Sequence, residues 1–163
     1  MDTEKVIKLK SNDGKIVEIT RKAASKSGLL KGIIEDFPED SEFPLNDVDG
    51  ETLRKIKQYL IHYEDMEPPQ IQRPLKSTNF KECVDIWDYN FIEDSSMDIF
   101  KLVLATNYMD IKPLFDLSCA KIGSQIQGIT TESIRKEFEI NGGFSKEEQE
   151  LILKDKQYLE ENL

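Results

Sequence analysis

A chain of 163 residues with 38% hydrophobic and 33% charged residues can bury one core and carry an appendage, and it is too apolar for wholesale disorder. Its formal net charge of -10 argues against direct nucleic-acid binding and against an anionic membrane surface, and it points to basic partners. Cys83 and Cys119 stand too far apart for a CxxC motif, the opening Met1-Asp2-Thr3-Glu4-Lys5 lacks the blocks of a signal peptide, and no apolar run approaches the roughly 18 residues of a membrane span. The expectation is a soluble intracellular chain with reduced thiols.

In chain order, Val6–Leu9 and Ile16–Ile19 flank Ser11-Asn12-Asp13-Gly14, which predicts a β-hairpin. Two short helical pieces follow, over about 21–26 and 29–36, interrupted at Ser27-Gly28. Phe43-Pro44-Leu45 predicts an edge strand, because proline removes a ladder donor. Glu35 to Glu51 holds eight acidic residues and no basic one, the composition of a solvated loop. Asp49 caps a predicted helix over about 50–63, whose Leu53, Ile56, Leu60 and Tyr63 form one apolar face.

Pro68, Pro69 and Pro74 make about 64–82 a flexible loop, and order resumes at Ile86-Trp87-Asp88. Ser95-x-x-Asp98 resembles a capping box for a helix through about Asn107. Pro113 sits in the first turn of the next helix, which Gly128 ends. Thr130 or Thr131 opens a short helix to about Phe138, Asn141-Gly142-Gly143 breaks it, and the capping box Ser145-x-x-Glu148 opens a last helix to about Glu161. The sum is an α+β fold: a small sheet with about seven helices and an all-helical tail.

Little in the chain points to bond chemistry. His62 is the one histidine, and a lone helical histidine is usually packed or solvated. No zinc motif, GxSxG elbow or phosphate-binding glycine loop occurs, and the carboxylates lie in polar stretches. Neither a metal nor a cofactor is expected. Cys119, in mid-helix, is expected as a small buried hydrophobe. The 95–107 helix carries Met97, Ile99, Phe100, Leu102, Val103 and Leu104, more than one core-facing stripe needs. The 113–127 helix is apolar on more than one face, which fits either complete burial or a partner. The tail helices are short and apolar, and such helices need packing.

Asp85–Phe91, Phe100–Leu114 and Glu132–Ile140, with the opening Ile7-Lys8-Leu9 and Ser11-x-Asp13-Gly14, together resemble the Skp family over essentially the whole chain. The resemblance implies a BTB/POZ-like domain over 1–127, with a flexible loop at about 64–82, followed by a helical extension over 128–163 that binds an F-box. It implies a non-enzymatic adaptor between a cullin and F-box proteins in a ubiquitin ligase, cytoplasmic and nuclear. The alternative is an F-box-binding subunit of a non-ligase assembly at a kinetochore or proton pump. It leaves open a weak homodimer when the chain is free of F-box protein. By position, Asn107 and Tyr108 match a cullin-facing pair. Phe100, Phe115, Cys119, Ile122, Ile126, Ile140 and Tyr158 match F-box-facing positions. Three departures stand out: Tyr158 replaces a tryptophan, Thr130-Thr131-Glu132-Ser133 replaces Thr-Pro-Glu-Glu, and Gly142-Gly143 replaces Asn-Asp. Elongin C is a fold-level rival that resembles the BTB part alone.

Overall fold

A computed structural model describes residues 5–94, 98–127, 129–137, 139, 142–143 and 145–161. The chain divides into two compact units, residues 1–127 and 128–163. In the first, strands β1 (Val6–Ser11) and β2 (Ile16–Thr20) form the antiparallel hairpin, with Ile7 opposite Ile19 and Leu9 opposite Val17. Strand β3 (Glu42–Leu45) adds parallel to β1, pairing Leu9 with Phe43, so the sheet order is β2-β1-β3 and Pro44 lies on an edge. The period of two sends Ile7, Leu9, Val17, Ile19, Phe43 and Leu45 into the core and leaves Lys8, Glu18 and Glu42 outside.

The hairpin turn differs from a two-residue Asp-Gly turn. Only Gly14 takes a positive φ (77°), and four residues separate the strands. Asp13 serves another purpose: its Oδ1 accepts from the Gly50 backbone N–H at 2.9 Å and from Ser11 Oγ at 2.5 Å, and Lys15 pairs with it at 2.8 Å. The carboxylate thus fastens the turn to the start of the helix that opens at Gly50.

Each early helix opens on a side-chain cap. Thr20 caps α1 (Arg21–Ala24), Ser27 caps α2 (Gly28–Asp36), and Asp49 caps α3 (Gly50–His62) by accepting from Glu51 and Thr52 N–H at 3.1 and 3.0 Å. Helix α3 buries Leu53, Ile56, Tyr59 and Leu60 under the sheet, with Tyr63 following at its end. The proline-rich segment is a long loop with pinned points: Thr20 Oγ1 donates to Glu64 at 2.7 Å, Lys26 pairs with Glu67 at 2.8 Å, and Arg73 pairs with Asp116. A 3-10 turn at Phe80–Glu82 buries Phe80.

Residues Ile86–Ile92 form a helix, α4, capped by Asp85 and absent from the helices expected in the sequence. Helix α5 spans Ile99–Tyr108 and α6 spans Lys112–Ile126. The N-cap of α5 is Asp98, whose carboxylate accepts from Phe100 and Lys101 N–H at 3.0 and 3.3 Å. The helix therefore opens at the second member of the expected capping box, and Ser95 lies outside the described residues. In the second unit, α7 (Thr131–Glu137) follows Thr130, whose Oγ1 accepts from the Ser133 N–H at 3.3 Å. Helix α8 (Lys146–Glu161) opens on a reciprocal box: Ser145 N–H donates to Glu148 Oε2 at 2.7 Å and Glu148 N–H to Ser145 Oγ at 3.2 Å. No described helix is long and apolar enough to cross a membrane.

Candidate partner-binding faces

Helix α5 has two unlike faces. Leu102, Ala105 and Thr106 are buried, and Thr106 Oγ1 donates back to the Leu102 carbonyl at 2.8 Å, so its hydroxyl is satisfied inside the core. On the other side stand Phe100, Leu104, Asn107 and Tyr108, spaced i, i+4, i+7 and i+8, which one helical face collects. Leu104 is 70% exposed and Phe100 48%. These two apolar side chains stand one turn apart on the same face.

Both ends of that strip are held. At the C-terminal end, Asp110 adopts φ 52° and turns the chain into α6. There the Met109 carbonyl accepts from Ser27 Oγ at 2.5 Å, and the Asp110 carbonyl accepts from the Gly28 N–H at 3.0 Å. At the N-terminal end, Lys101 Nζ lies 3.6 Å from Asp49 Oδ2. Asn107 is exposed and the C-cap is Met109, so the side chain of Asn107 is not consumed in ending the helix.

Helix α6 also divides. Leu114, Leu117 and Ser118 are buried, with Ser118 Oγ donating to the Leu114 carbonyl at 2.8 Å. Phe115, Cys119, Ile122 and Ile126, at i, i+4, i+7 and i+11, run down a separate stripe. Phe115, Ile122 and Ile126 are half-buried there. Cys119 is exposed, which corrects the expectation of a buried hydrophobe. Its position one turn beyond Phe115 puts it on the stripe, not on the Leu117–Ser118 face. Partial desolvation, then the Asp116 carboxylate, pushes its thiol pKa up, so the group is a neutral thiol at neutral pH.

In the second unit, the described side chains of α8 from Lys146 to Tyr158 are all exposed. Leu151, Ile152, Leu153 and Tyr158 are the large apolar ones, Tyr158 at 68%. A shallow groove of about 590 Å³ follows Ser145, Glu148, Leu151, Ile152 and Asp155. Ile140 lies outside the described residues.

The structure therefore brings Asn107 and Tyr108 together on α5, and Phe115, Cys119, Ile122 and Ile126 together on α6. Phe100 lies on α5, on the helical face that carries Leu104 and Asn107. Leu104 was named in the sequence only as surplus apolar content, although its i+4 spacing from Phe100 was the signal that places it at the centre of the strip. Leu153 carried no such signal. Among the described residues, no group of three His, Cys, Asp or Glu side chains could hold a metal ion. His62 is engaged in packing, its ring stacked on Trp87 at 3.6 Å and 2°. What these faces can do chemically is bind: they offer apolar area, a phenol and an amide.

The fold is of the BTB/POZ class. Residues 5–65 match the Skp1 family tetramerisation domain, also called its POZ domain, and residues 112–158 match the Skp1 family dimerisation domain. Over 156 residues the chain is 38% identical to the S-phase kinase-associated protein 1 homolog of Tetrahymena thermophila, covering 95% of this chain and 94% of the relative. It is 36% identical over 157 residues to each of the SCF ubiquitin ligase complex proteins SKP1a and SKP1b of Dictyostelium discoideum, covering 96% of every chain compared. The chain belongs to the Skp1 family.

Proposed function

We propose that this chain is a non-enzymatic adaptor of an SCF-type ubiquitin ligase, holding a cullin N-terminal domain and an F-box protein at the same time. The observation that carries the reading is the sorting of exposed apolar side chains into separate faces on α5, α6 and α8 of a Skp1-family chain. Two relatives matched along nearly their whole length carry SCF ubiquitin ligase complex in their names, which favours the ligase over a kinetochore or proton-pump assembly.

The Asn107–Tyr108 strip is the cullin-facing surface. The α6 stripe is F-box-facing, and so, by its own residues, is the extension over 128–163 with Tyr158. The adaptor breaks and makes no covalent bond. By fixing receptor to ligase core it raises the effective concentration of a bound substrate. It acts in cytoplasm and nucleus.

Light scattering after size exclusion tests the reading. With a purified cullin N-terminal domain and an F-box domain added together, the expected species is one complex holding a single copy of each. If the two partners instead displace each other, the bridging role is wrong.

A further inference from the structure

The α3–α4 junction contains a carboxylate that lies outside the faces assigned to partners. Asp88, in the first turn of α4, is only 3% exposed. The hydrogen bond it accepts comes from Tyr63 Oη at 2.9 Å, a neutral phenol at the end of α3. Its surroundings are aromatic. Trp87 stacks on His62 at 3.6 Å and on Phe91 at 5.3 Å, and meets the Tyr63 ring edge-on at 5.6 Å.

The charged and titratable groups around it supply little compensation. On α3 these are Tyr59, His62 and Tyr63, and on α4 itself Asp85, which repels a charge on Asp88. On α6 they are Asp116 and Lys121, committed to Arg73 and Glu93. Lys81, by the 3-10 turn, sits over the Tyr89 ring at 5.7 Å. Asp88 forms no ion pair among the described residues.

We propose that buried Asp88 is a proton-controlled latch between α3 and α4: the junction is loose while this carboxylate is charged and tight once it takes up a proton. A charged carboxylate in an aromatic, nearly dry setting with one neutral donor loses most of its hydration. Protonation removes that cost, while Tyr63 still donates to the carbonyl oxygen. Consistent with this, burial first, then the Asp85 charge, moves the Asp88 pKa above its ordinary value, while the Tyr63 hydrogen bond and His62 oppose the shift. Because the folded-state pKa is raised, the contribution to stability is complete below the unfolded pKa and is lost as pH rises through the folded one. Helix α4 packs against α6, which carries the Phe115–Ile126 stripe, so the latch sets how firmly that stripe is backed.

Trp87 is the only tryptophan, and it adjoins both Asp88 and His62, so its emission reads the latch. Emission of the full chain is followed from neutral to acid pH in the wild type, Asp88→Asn, Tyr63→Phe and His62→Gln. The wild type should show a step with its midpoint above the ordinary carboxylate range. Asp88→Asn should abolish it and His62→Gln should keep it. Tyr63→Phe, which removes the donor favouring the charged form, should move the midpoint upward by about one pH unit. This last arm decides even if Asp88→Asn fails to fold. A step that survives in Asp88→Asn, or that disappears in His62→Gln, overturns the latch. So does a wild type without a step, or a Tyr63→Phe midpoint that stays or falls.

Discussion

Gly28 is where a single methyl group would be felt most. A Cβ at this position would run into the Asp110 carboxylate, with Asp110 Cγ at 2.7 Å and Cβ at 3.0 Å, at the point where α2 is hydrogen-bonded to the α5–α6 turn. Gly28→Ala should therefore cost about 1–3 kcal/mol. Asp110 itself sits at φ 52°, where glycine carries no penalty. Combining Gly28→Ala with Asp110→Gly removes the obstructing side chain and should recover most of the loss. Urea denaturation of both variants measures this coupling, and simple additivity of two losses would contradict it. Asp13 gives a second test at this scale. Its hydrogen bond with Lys15, then that from Ser11, holds its carboxyl well below the usual carboxylate range. A depressed folded-state pKa means that the stabilisation is present above the unfolded value of about 3.9 and fades as pH falls through the folded one. Asp13→Asn should accordingly be less stable than the wild type at neutral pH, with the gap closing in strong acid. A gap of constant size in thermal melts across that range would rule out the charge as its source.

At the scale of elements, the helix starts were readable wherever a side chain does the capping. Asp49 and the Ser145–Glu148 pair occupy the expected positions because the capping geometry depends on residues three apart in the chain and on nothing distant. Helix α4 was not readable. Ile86-Trp87-Asp88-Tyr89-Asn90-Phe91-Ile92 mixes β-branched and aromatic residues with no clear period, and seven residues form a helix only when packing compensates. The packing that does so comes from Tyr59, His62 and Tyr63, more than twenty positions upstream. The exposure of Cys119 was hidden for a related reason. A helix apolar on several faces does not say which face the core takes until its neighbours are placed. Helix α8 leads to a prediction of its own. With its described side chains exposed, its order depends on local terms, so losing the cap matters. Ser145→Ala should cost about 1 kcal/mol of local helix stability and speed amide exchange in the first turns of α8, leaving the hairpin untouched. In the free wild-type chain, residues 130–160 should exchange faster than β1 and β2. Equal protection in the two regions would show that the tail is held by more than its caps.

At the scale of the whole molecule, the chain forms two compact units, each with exposed faces of its own. The first unit has a sheet-and-helix core that positions the α5 strip. The second presents α8, with Leu151, Ile152 and Tyr158 among charged neighbours such as Asp155 and Lys156. The class of fold and its family were legible in the sequence because hairpin, caps and breaks fall in order along the whole chain. The faces were only half legible: periodicity reports an apolar surplus but not its direction, and the exposure of Leu104 and Cys119 became plain only once the neighbouring elements were placed. Tyr158, where the resemblance expects tryptophan, keeps a large ring and trades an N–H for an O–H, so Tyr158→Trp should be tolerated.

The central claim is that the two binding faces are separable, and calorimetric titration of two variants against both partners tests it directly. Asn107→Lys combined with Tyr108→Lys places two ammonium groups on the α5 strip, and burying them unpaired should weaken cullin binding on the order of 100-fold or more. F-box affinity should stay within about twofold of wild type, inside the near-neutral range of non-anchor contacts. Tyr158→Ala removes the proposed aromatic anchor of α8 and should weaken F-box binding by about 2 kcal/mol, on the order of 30-fold, with cullin affinity unchanged. Loss of both partners in either variant, at an unchanged melting temperature, would contradict the account.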